Sequence, residues 1–312
     1  MTGYKINSES ALDKKMRTVQ FFSLYFKKFK YILLSNLMFF VPVLFAAAIE
    51  CGAYILLGGL NIFVIAFAIV ILNPFFAGIA LVCRYICMDK DFSVKEAFFR
   101  GIKENWRKFF VHGIIIYAVF VVSWLSIGLY YNGTKTSFVF WIPLVITGLV
   151  VLFVLFSSYY ANIMTVTMDI GLKDIYRNCA LFSFGELKNN LFATFALLIF
   201  SAVLFTVAVF LYNPIVLLVV GAILTAVIIP STVQYIITFY VYDDMVAILD
   251  ESAKDRNQEE EDKPKQPVID KEEAEEISRL VPEGDDEYVF HNGRMIKRSL
   301  LEELYKNNND NE

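Results

Sequence analysis

The sequence predicts an all-α polytopic membrane protein with six transmembrane helices, both termini in the cytoplasm (N-in/C-in) and interfacial cytoplasmic helices between the spans. Three observations support this fold class. Of 312 residues, 57% are apolar and 19% are charged, whereas soluble domains contain about 45–50% and about 25%. The apolar residues gather in segments long enough to cross a hydrocarbon core of ~30 Å at ~1.5 Å per helical residue. Lys and Arg cluster at alternate connections between these segments.

Six segments have the length and composition of membrane spans. In lipid every backbone amide must pair within its own segment, so runs of this length form helices. The alternating pattern of a membrane β-barrel is not visible, and the connections after spans one, three and five are short and carry turn signals such as Asn-Gly and Asn-Pro. The predicted spans are Tyr31–Leu57, Ile62–Ile86, Phe109–Tyr131, Phe138–Met164, Leu191–Tyr212 and Pro214–Val241.

Charge sets the predicted orientation of the spans. Seventeen Lys and Arg residues fall in the N-terminal segment and in the connections after spans two and four, against Lys135 alone on the other side. The positive-inside rule then places both termini in the cytoplasm of a cell-membrane protein. Residues 1–242 hold 18 Lys and Arg against 10 Asp and Glu, whereas residues 243–312 hold 10 against 22. The acidic soluble part would repel phosphates, so we expect no nucleic-acid partner.

The chain divides into four predicted parts. Residues 1–30 predict a cytoplasmic or interfacial helix, and residues 31–245 contain the six spans. Residues 246–271 predict a disordered acidic linker, because they have too little apolar surface to offset the entropy of ordering. Residues 272–312 predict a small cytoplasmic tail element with a helix, a hairpin around Asn292-Gly293 and a second helix. This element is either a docking piece or a mobile extension.

The two long cytoplasmic loops resemble each other. Residues 88–110 and 168–192 both open with Met-Asp, place a Lys and an acid before an aromatic residue, and close on a Lys–Asn cluster. This favours a parallel duplication of a helix–loop–helix unit, although any helix between two spans needs Lys and aromatic residues at the interface. Ser93 and Glu96 form a capping box, so the first loop predicts a helix that lies in the interface.

Basic residues in these interfacial segments predict a collar that contacts the bilayer and its anionic lipid headgroups. A basic group near such headgroups contributes about 1 kcal/mol. The collar either senses lipid or docks a partner such as a subunit of a membrane transport complex, or it only anchors the protein. Its predicted members are Lys27, Lys28, Lys30, Lys95, Arg100, Lys103, Arg107, Lys108, Lys173, Arg177 and Lys188.

Ionisable and helix-breaking residues inside the spans are the candidates for a solute site. Glu50 lies about 28 Å along the first span, or about 21 Å if the helix enters the membrane later. It is therefore either an interfacial acid or a proton or cation site within the core. In span two, Asn73-Pro74 together with Gly78 predicts a kink that could line a cavity. Prolines are also common in membrane helices without any site.

No enzyme signature is present in the chain. Metalloprotease, serine-hydrolase, phosphate-loop and dinucleotide motifs are missing, and two histidines leave little for general-base chemistry. We therefore expect a protein that is not an enzyme, without catalytic residues, cofactor or metal. Cys83 and Cys87 share a helix face, but two thiols alone make a poor metal site. Arg84 is expected to snorkel towards the cytoplasmic interface, and His112 to be an interfacial histidine.

Span two and the first loop carry a short composite motif. Residues 74–81 read Pro-Phe-Phe-Ala-Gly-Ile-Ala-Leu, and residues 97–107 read Ala-Phe-Phe-Arg-Gly-Ile-Lys-Glu-Asn-Trp-Arg. This pattern resembles the YesL-like family of bacterial integral membrane proteins, which has no assigned function; Ala77 stands where the family more often has a small hydroxyl residue. The resemblance covers about residues 20–245. It implies a non-enzymatic accessory or regulatory component beside a carbohydrate transport system. The alternative is a small-solute transporter or channel that uses the kinked second span.

Overall fold

Helices account for almost all of the structure, which is a computed structural model that describes residues 11–59, 61–211, 213–262, 288–291 and 294–297, with side chains described between residues 17 and 249. The helices and strands are α1 (Ala11–Lys27), α2 (Phe29–Leu57), α3 (Ile62–Cys87), α4 (Val94–Thr134), a short 3₁₀ helix (Phe138–Phe140), α5 (Trp141–Thr167), α6 (Leu172–Gly185), α7 (Leu187–Phe210), α8 (Pro214–Val227), α9 (Ile229–Asp262), β1 (Tyr288–His291) and β2 (Arg294–Lys297).

The apolar helices confirm the all-α, multi-pass membrane class. Among the described residues, α2, α3, α4, α5 with its preceding 3₁₀ helix, and α7 are long and apolar enough to cross a membrane. The bent pair α8 and α9 counts as a sixth span when it is taken together. Each predicted segment therefore corresponds to one such helix or pair. The cytoplasmic placement of the termini remains a prediction.

The sixth predicted span, Pro214–Val241, is not one straight helix. α8 ends at Val227 and α9 begins at Ile229, with a bend of 47° between them. With 14 residues, α8 is about 21 Å long, which is too short to cross the core alone. Pro230 explains the break, because its ring clashes with the preceding turn and it has no amide hydrogen to donate.

The first loop and the third span form one helix, α4, of 41 residues. The separate interfacial helix that we predicted for residues 88–110 is therefore wrong for this loop, although the Ser93 hydroxyl accepts a hydrogen bond from the Glu96 amide as the capping box predicts. No proline interrupts α4, so its backbone ladder continues for about 61 Å, about twice the thickness of the hydrocarbon core. The part before Phe109 projects beyond the predicted span. The second loop does form a separate helix, α6.

The apolar core lies where α2, α3 and α9 meet the start of α4. Fully buried side chains from each helix meet there, among them Ile32, Ile79, Phe98 and Tyr235. α1 covers this core from one side, because the Phe21 ring packs against Tyr235 with centroids 5.0 Å apart. Burial of large aromatic and branched side chains thus joins the first helices of the chain to the last span.

A second compact unit comprises residues 249–312. α9 continues to Asp262, into residues 246–271, where we predicted a disordered linker. The Glu, Lys, Ala, Gln and Arg residues there are strong helix formers, and they extend a helix that is already nucleated. β1 pairs antiparallel with β2, with His291 opposite Arg294, so two residues separate the strands. The helices predicted for residues 272–280 and 299–306 lie outside the described residues.

Candidate functional site

Two glycines let α3 and α4 approach each other closely at the predicted kink site. A Cβ atom on Gly78 would lie 2.7 Å from Cδ2 of Phe98, and one on Gly101 would lie 2.6 Å from the carbonyl oxygen of Ala77. Contacts this short exclude any side chain, as in the small-residue interfaces of other membrane helix pairs. The Gly78 position is therefore filled by the neighbouring helix.

Asn73 ties the same two helices together one turn earlier in α3. Its side-chain Nδ2 donates to the carbonyl oxygen of Phe109 at 2.6 Å, and the side chain is buried. Gly113 of α4 faces it, since a Cβ there would lie 2.9 Å from the Asn73 Cβ. Pro74 follows inside α3. The predicted solute or kink residues of span two thus belong to a packed seam between helices.

Glu50 lies apart from this seam, near the end of α2. Its Oε1 atom is buried and has no hydrogen-bond partner among the described residues. The side chain as a whole is half-buried. No hydrogen bond or ion pair joins it to Asn73 in the part of the chain that the structure describes. Glu50 and the span-two residues therefore do not form one site.

Two of the collar lysines are neutralised by the connection between α3 and α4. Lys27 Nζ lies 2.6 Å from Asp89 Oδ2, and Lys28 Nζ lies 2.9 Å from Asp91 Oδ1. The hydrogen bond from Lys27 holds the pKa of Asp89 below its usual value, against an opposing effect of burial. Burial lowers the pKa of Lys28, but its hydrogen bonds to Asp91 and Asp89 outweigh this and raise it. These lysines fasten α1 and α2 to the loop.

Two further cations bind carbonyls at the carboxyl end of α5 and in the connection that follows it. Arg84 Nη1 donates to the carbonyl oxygen of Val166 at 2.8 Å, and Lys108 Nζ donates to that of Ile170 at 3.0 Å. Lys108 also lies 3.9 Å from Asp169. Carbonyls at the end of a helix lack partners within it and carry a partial negative charge, so cations stabilise them. Lys108 is therefore bound by groups of the protein itself.

The remaining collar residues are exposed or half-buried and, among the described residues, none pairs with a carboxylate. Arg100 hydrogen-bonds to the Tyr85 hydroxyl and stacks over its ring at 5.4 Å. Arg107 stacks over the ring of Trp106 at 5.4 Å. The structure therefore divides the predicted collar into neutralised and free cations. The free ones without a hydrogen-bond partner are Lys30, Lys95, Lys103, Arg107, Lys173, Arg177 and Lys188.

A buried asparagine that the sequence interpretation missed fills the break between α8 and α9. Asn36 Nδ2 donates to the carbonyl oxygen of Val227 at 2.9 Å, and the Ser231 amide donates to Asn36 Oδ1 at 2.8 Å. In an unbroken helix that amide and that carbonyl would bind each other. The side chain of Asn36, which is fully buried, is therefore inserted into the ladder and satisfies both groups.

Polar residues continue along the buried face of α9. Ser231, Gln234 and Thr238 are all fully buried. Gln234 Nε2 donates to Thr238 Oγ1 at 3.1 Å, and Asn162 of α5 donates to Gln234 Oε1 at 3.3 Å. The Ser35 and Ser231 hydroxyls lie 2.7 Å apart. The sequence signal was available, since these residues recur three to four apart in an apolar run.

His112, which we predicted to be an interfacial histidine, is buried between three helices, and its level in the membrane stays a prediction. The Thr165 hydroxyl donates to the carbonyl oxygen of Ala161 at 2.6 Å, so His112 Nε2 donates to Thr165 Oγ1 at 2.8 Å. Its Nδ1 then accepts from the Tyr176 hydroxyl. Both ring nitrogens are used by a neutral imidazole, a tautomer that the network assigns. The histidine joins α4 to α5 and α6.

Charged residues of α1, of α9 and of the junction between α6 and α7 meet where α7 begins. Asn189 Nδ2 lies 2.8 Å from Glu186 Oε2 and 2.7 Å from Asp244 Oδ2. Arg17 of α1 reaches the same Asp244 oxygen at 3.4 Å. Burial, together with the Asp244 charge, raises the pKa of Glu186 above its usual value. Among the described residues, no group of three or more His, Cys, Asp or Glu side chains is placed to hold a metal ion.

These features define a multi-pass helical membrane protein in which close helix contacts at glycines and hydrogen bonds from buried asparagines join the spans. Its apolar spans contact the lipid bilayer. Comparisons of the chain with protein-family models, with curated proteins and with solved structures find no match. The site residues therefore have to be interpreted from their own geometry.

Proposed function

We propose that the protein is a non-enzymatic accessory or regulatory component of a membrane transport system, of the YesL-like type that its motif resembles. The observation that carries the proposal is the packed seam between α3 and α4. A transporter that used the second span would need room beside Asn73 and Gly78. Phe98 of α4 occupies that room beside Gly78, and the Asn73 side chain is bonded to the Phe109 carbonyl and faces Gly113.

The broken sixth span supports the same proposal. In transporters with discontinuous helices, unpaired backbone groups at the break bind the solute or ion. At the break between α8 and α9, the Asn36 side chain satisfies the Val227 carbonyl and the Ser231 amide. Both backbone groups at the break are therefore paired within the protein and are not available to a ligand.

An exposed stripe on α1 is suited to contact a partner. Phe21 and Tyr25 point towards α9, where the Tyr235 hydroxyl donates to the Phe21 carbonyl at 2.9 Å. The other face exposes three apolar side chains at helical spacing, and exposed apolar stripes of this kind mark protein or membrane contacts. The stripe consists of Val19, Phe22 and Phe26, which are 62%, 53% and 69% exposed.

Photocrosslinking tests this proposal. A photoreactive residue at Phe22, introduced into the full chain in its native membrane, is expected to crosslink to a subunit of a transport system. The matched control is Phe205 in the outer half of α7, which is 70% exposed and is expected to label lipid only. Purified protein in vesicles should give no uptake of labelled sugar above empty vesicles. Uptake by the purified chain alone would overturn the accessory role.

The alternative, a small-solute transporter or channel, is favoured by one observation. Glu50 Oε1 is buried in an apolar helix and has no partner within the described part of the chain, and such groups mark ion pathways in membrane proteins. If this function holds, uptake by vesicles is measurable and Glu50→Gln abolishes it. If the accessory role holds, Glu50→Gln leaves the Phe22 crosslink unchanged.

A further inference from the structure

The first half of α4 presents an aromatic and basic face that is about half exposed in the described part of the chain. Phe99 is 56% exposed, Trp106 is 47% exposed and Phe110 is 41% exposed. At about 100° per residue these three side chains lie on one face, with Lys103 among them and Arg107 at its edge. We call this set the α4 face. The opposite side of the helix carries Phe98 and Gly101 and packs on α3.

The predicted start of span three at Phe109, together with the continuity of α4, gives the expected level of this face relative to the membrane. The predicted span begins at Phe109, and each residue before it rises ~1.5 Å. If α4 stands along the membrane normal, Arg107 lies about 3 Å and Lys103 about 9 Å beyond the hydrocarbon edge. The headgroup layer is about 5–8 Å thick on each side, so long basic side chains at these positions reach phosphates. Lys95, about 21 Å out, lies beyond that layer.

The charges of the α4 face are free, unlike those of its neighbours. Lys27 and Lys28 are neutralised by Asp89 and Asp91, and Lys108 is held by the connection between α5 and α6. Within the described residues, neither Lys103 nor Arg107 pairs with a carboxylate. The guanidinium of Arg107 lies over the Trp106 ring at 5.4 Å. Among the described residues no hydrogen bond occupies its N–H groups, so they can bind an anion.

We propose that the α4 face binds the headgroup of an anionic phospholipid, with Lys103 and Arg107 on the phosphate and Trp106 at the boundary with the acyl chains. Tryptophan favours this boundary, and arginine binds phosphate through parallel N–H groups. The occupant is a lipid because the face continues directly into the span and its charge complements an anionic surface. This inference goes beyond the proposed function and holds for an accessory protein or a transporter.

Lipid titration of the purified full chain tests the site. Phosphatidylglycerol and phosphatidylcholine are added to the protein in detergent, and bound lipid is measured by native mass spectrometry. We expect tighter binding of phosphatidylglycerol, about fivefold weaker binding in Lys103→Gln and about 30-fold weaker binding in the double variant with Arg107→Gln, at about fivefold per charge. Lys95→Gln is the matched control on the same helix and should change binding less than twofold.

Two outcomes would overturn the proposal. One is equal affinity of the wild-type chain for the two lipids. The other is a loss of lipid affinity in Lys95→Gln as large as in Lys103→Gln. The whole basic segment would then attract anionic lipid without a defined binding site. Both side chains are exposed, so the single variants should keep the thermal midpoint measured without added lipid. If the double variant fails to fold, the two single variants and their lipid selectivity decide the question.

Discussion

The two loop-and-span units of similar sequence pack in different ways. In the first unit, α3 and α4, backbone meets backbone, since Gly78 faces Phe98 and Gly101 faces Ala77. In the second unit, α5 to α7, large side chains separate the helices. The Tyr160 ring stacks on Phe182 with centroids 5.1 Å apart. The shared loop pattern therefore does not fix how closely the helices pack, and the placement of glycine does.

The same units differ in helix continuity. In the first unit, Asn105 Nδ2 donates to the Gly101 carbonyl at 3.2 Å within an unbroken helix. In the second, the helix breaks at Glu186, and Asn190 Nδ2 reaches back to the carbonyls of Phe182 and Ser183 at 3.3 and 3.2 Å. The asparagine of the Lys–Asn cluster thus binds a carbonyl inside a continuous helix in the first unit. In the second unit it caps the end of α6, where the helix breaks.

The largest expected effect comes from filling the glycine seam of the first unit. Gly101→Ala puts a Cβ 2.6 Å from the Ala77 carbonyl oxygen, and such overpacking costs about 1–3 kcal/mol. We expect a lower thermal midpoint in detergent, measured with purified protein. Gly185→Ala in the second unit should have little effect from crowding, because nothing lies within 4 Å of its Cβ position.

Gly128→Ala is the matched control, since it lies in the same helix and its Cβ would also meet nothing within 4 Å. Alanine favours a helix over glycine by about 0.5–1 kcal/mol, so this variant should be at least as stable as the wild type. Equal destabilisation by Gly101→Ala and Gly128→Ala would mean that α3 and α4 are not in close contact, and the contrast between the units would fail.

An intermediate effect is expected from the two asparagines. Asn190→Ala leaves the Ser183 carbonyl without its side-chain donor at a buried break, which costs about 1–3 kcal/mol, whereas the Phe182 carbonyl keeps the Glu186 amide. Asn105→Ala removes a bond to a carbonyl inside a continuous helix and should cost less than about 1 kcal/mol. The midpoints of chemical unfolding for the two variants measure the difference. Equal losses would show that the break does not depend on Asn190.

Much of the fold could be predicted from composition and charge, because a lipid solvent leaves few choices for long apolar segments. The breaks and continuities could not. We predicted a separate interfacial helix before span three because charged residues precede Phe109, yet nothing in Val94–Thr134 stops a helix. Pro230 lies at the break in the sixth span, but Asn36, which binds the backbone there, lies 195 residues before Ser231. Local patterns do not carry such distant hydrogen bonds.

For the candidate site residues, too, the sequence predicts which positions are unusual but not what they contact. The residue types at Asn73, Pro74 and Gly78 indicate something unusual in span two, and the structure uses them for close packing against α4. Spacing alone cannot distinguish a cavity from a tight seam, because both favour small and polar residues inside a membrane. The collar lysines were likewise grouped by type, and only the positions of Asp89, Asp91 and Asp169 separate the neutralised members from the free ones.

The smallest expected effect is an opposite response of the two loops to acid. Asp89, in the connection between α3 and α4, has a lowered pKa because Lys27 favours its charged form. Its stabilising contribution is therefore complete above the ordinary aspartate pKa and is lost as pH falls through the lower, folded value. Glu186, where α6 meets α7, has a pKa raised by burial and by Asp244. Its ionisation therefore destabilises the fold above that raised pKa, and the penalty disappears as pH falls towards the ordinary value.

Thermal midpoints between about pH 3 and pH 7, within the titration range of carboxylates, measure both responses. Asp89→Asn should lower the midpoint near neutral pH and leave it unchanged at the acid end; asparagine tolerates the left-handed backbone at this position, where φ is 46°. Glu186→Gln should raise the midpoint near neutral pH, because the amide keeps an oxygen for Asn189 without the buried charge. Each effect is at most about 1 kcal/mol, since both groups are partly exposed and screened by solvent. If both variants shift the midpoint in the same direction at neutral pH, the electrostatic contrast between the two loops is wrong, even if their packing differs as the glycine variants predict.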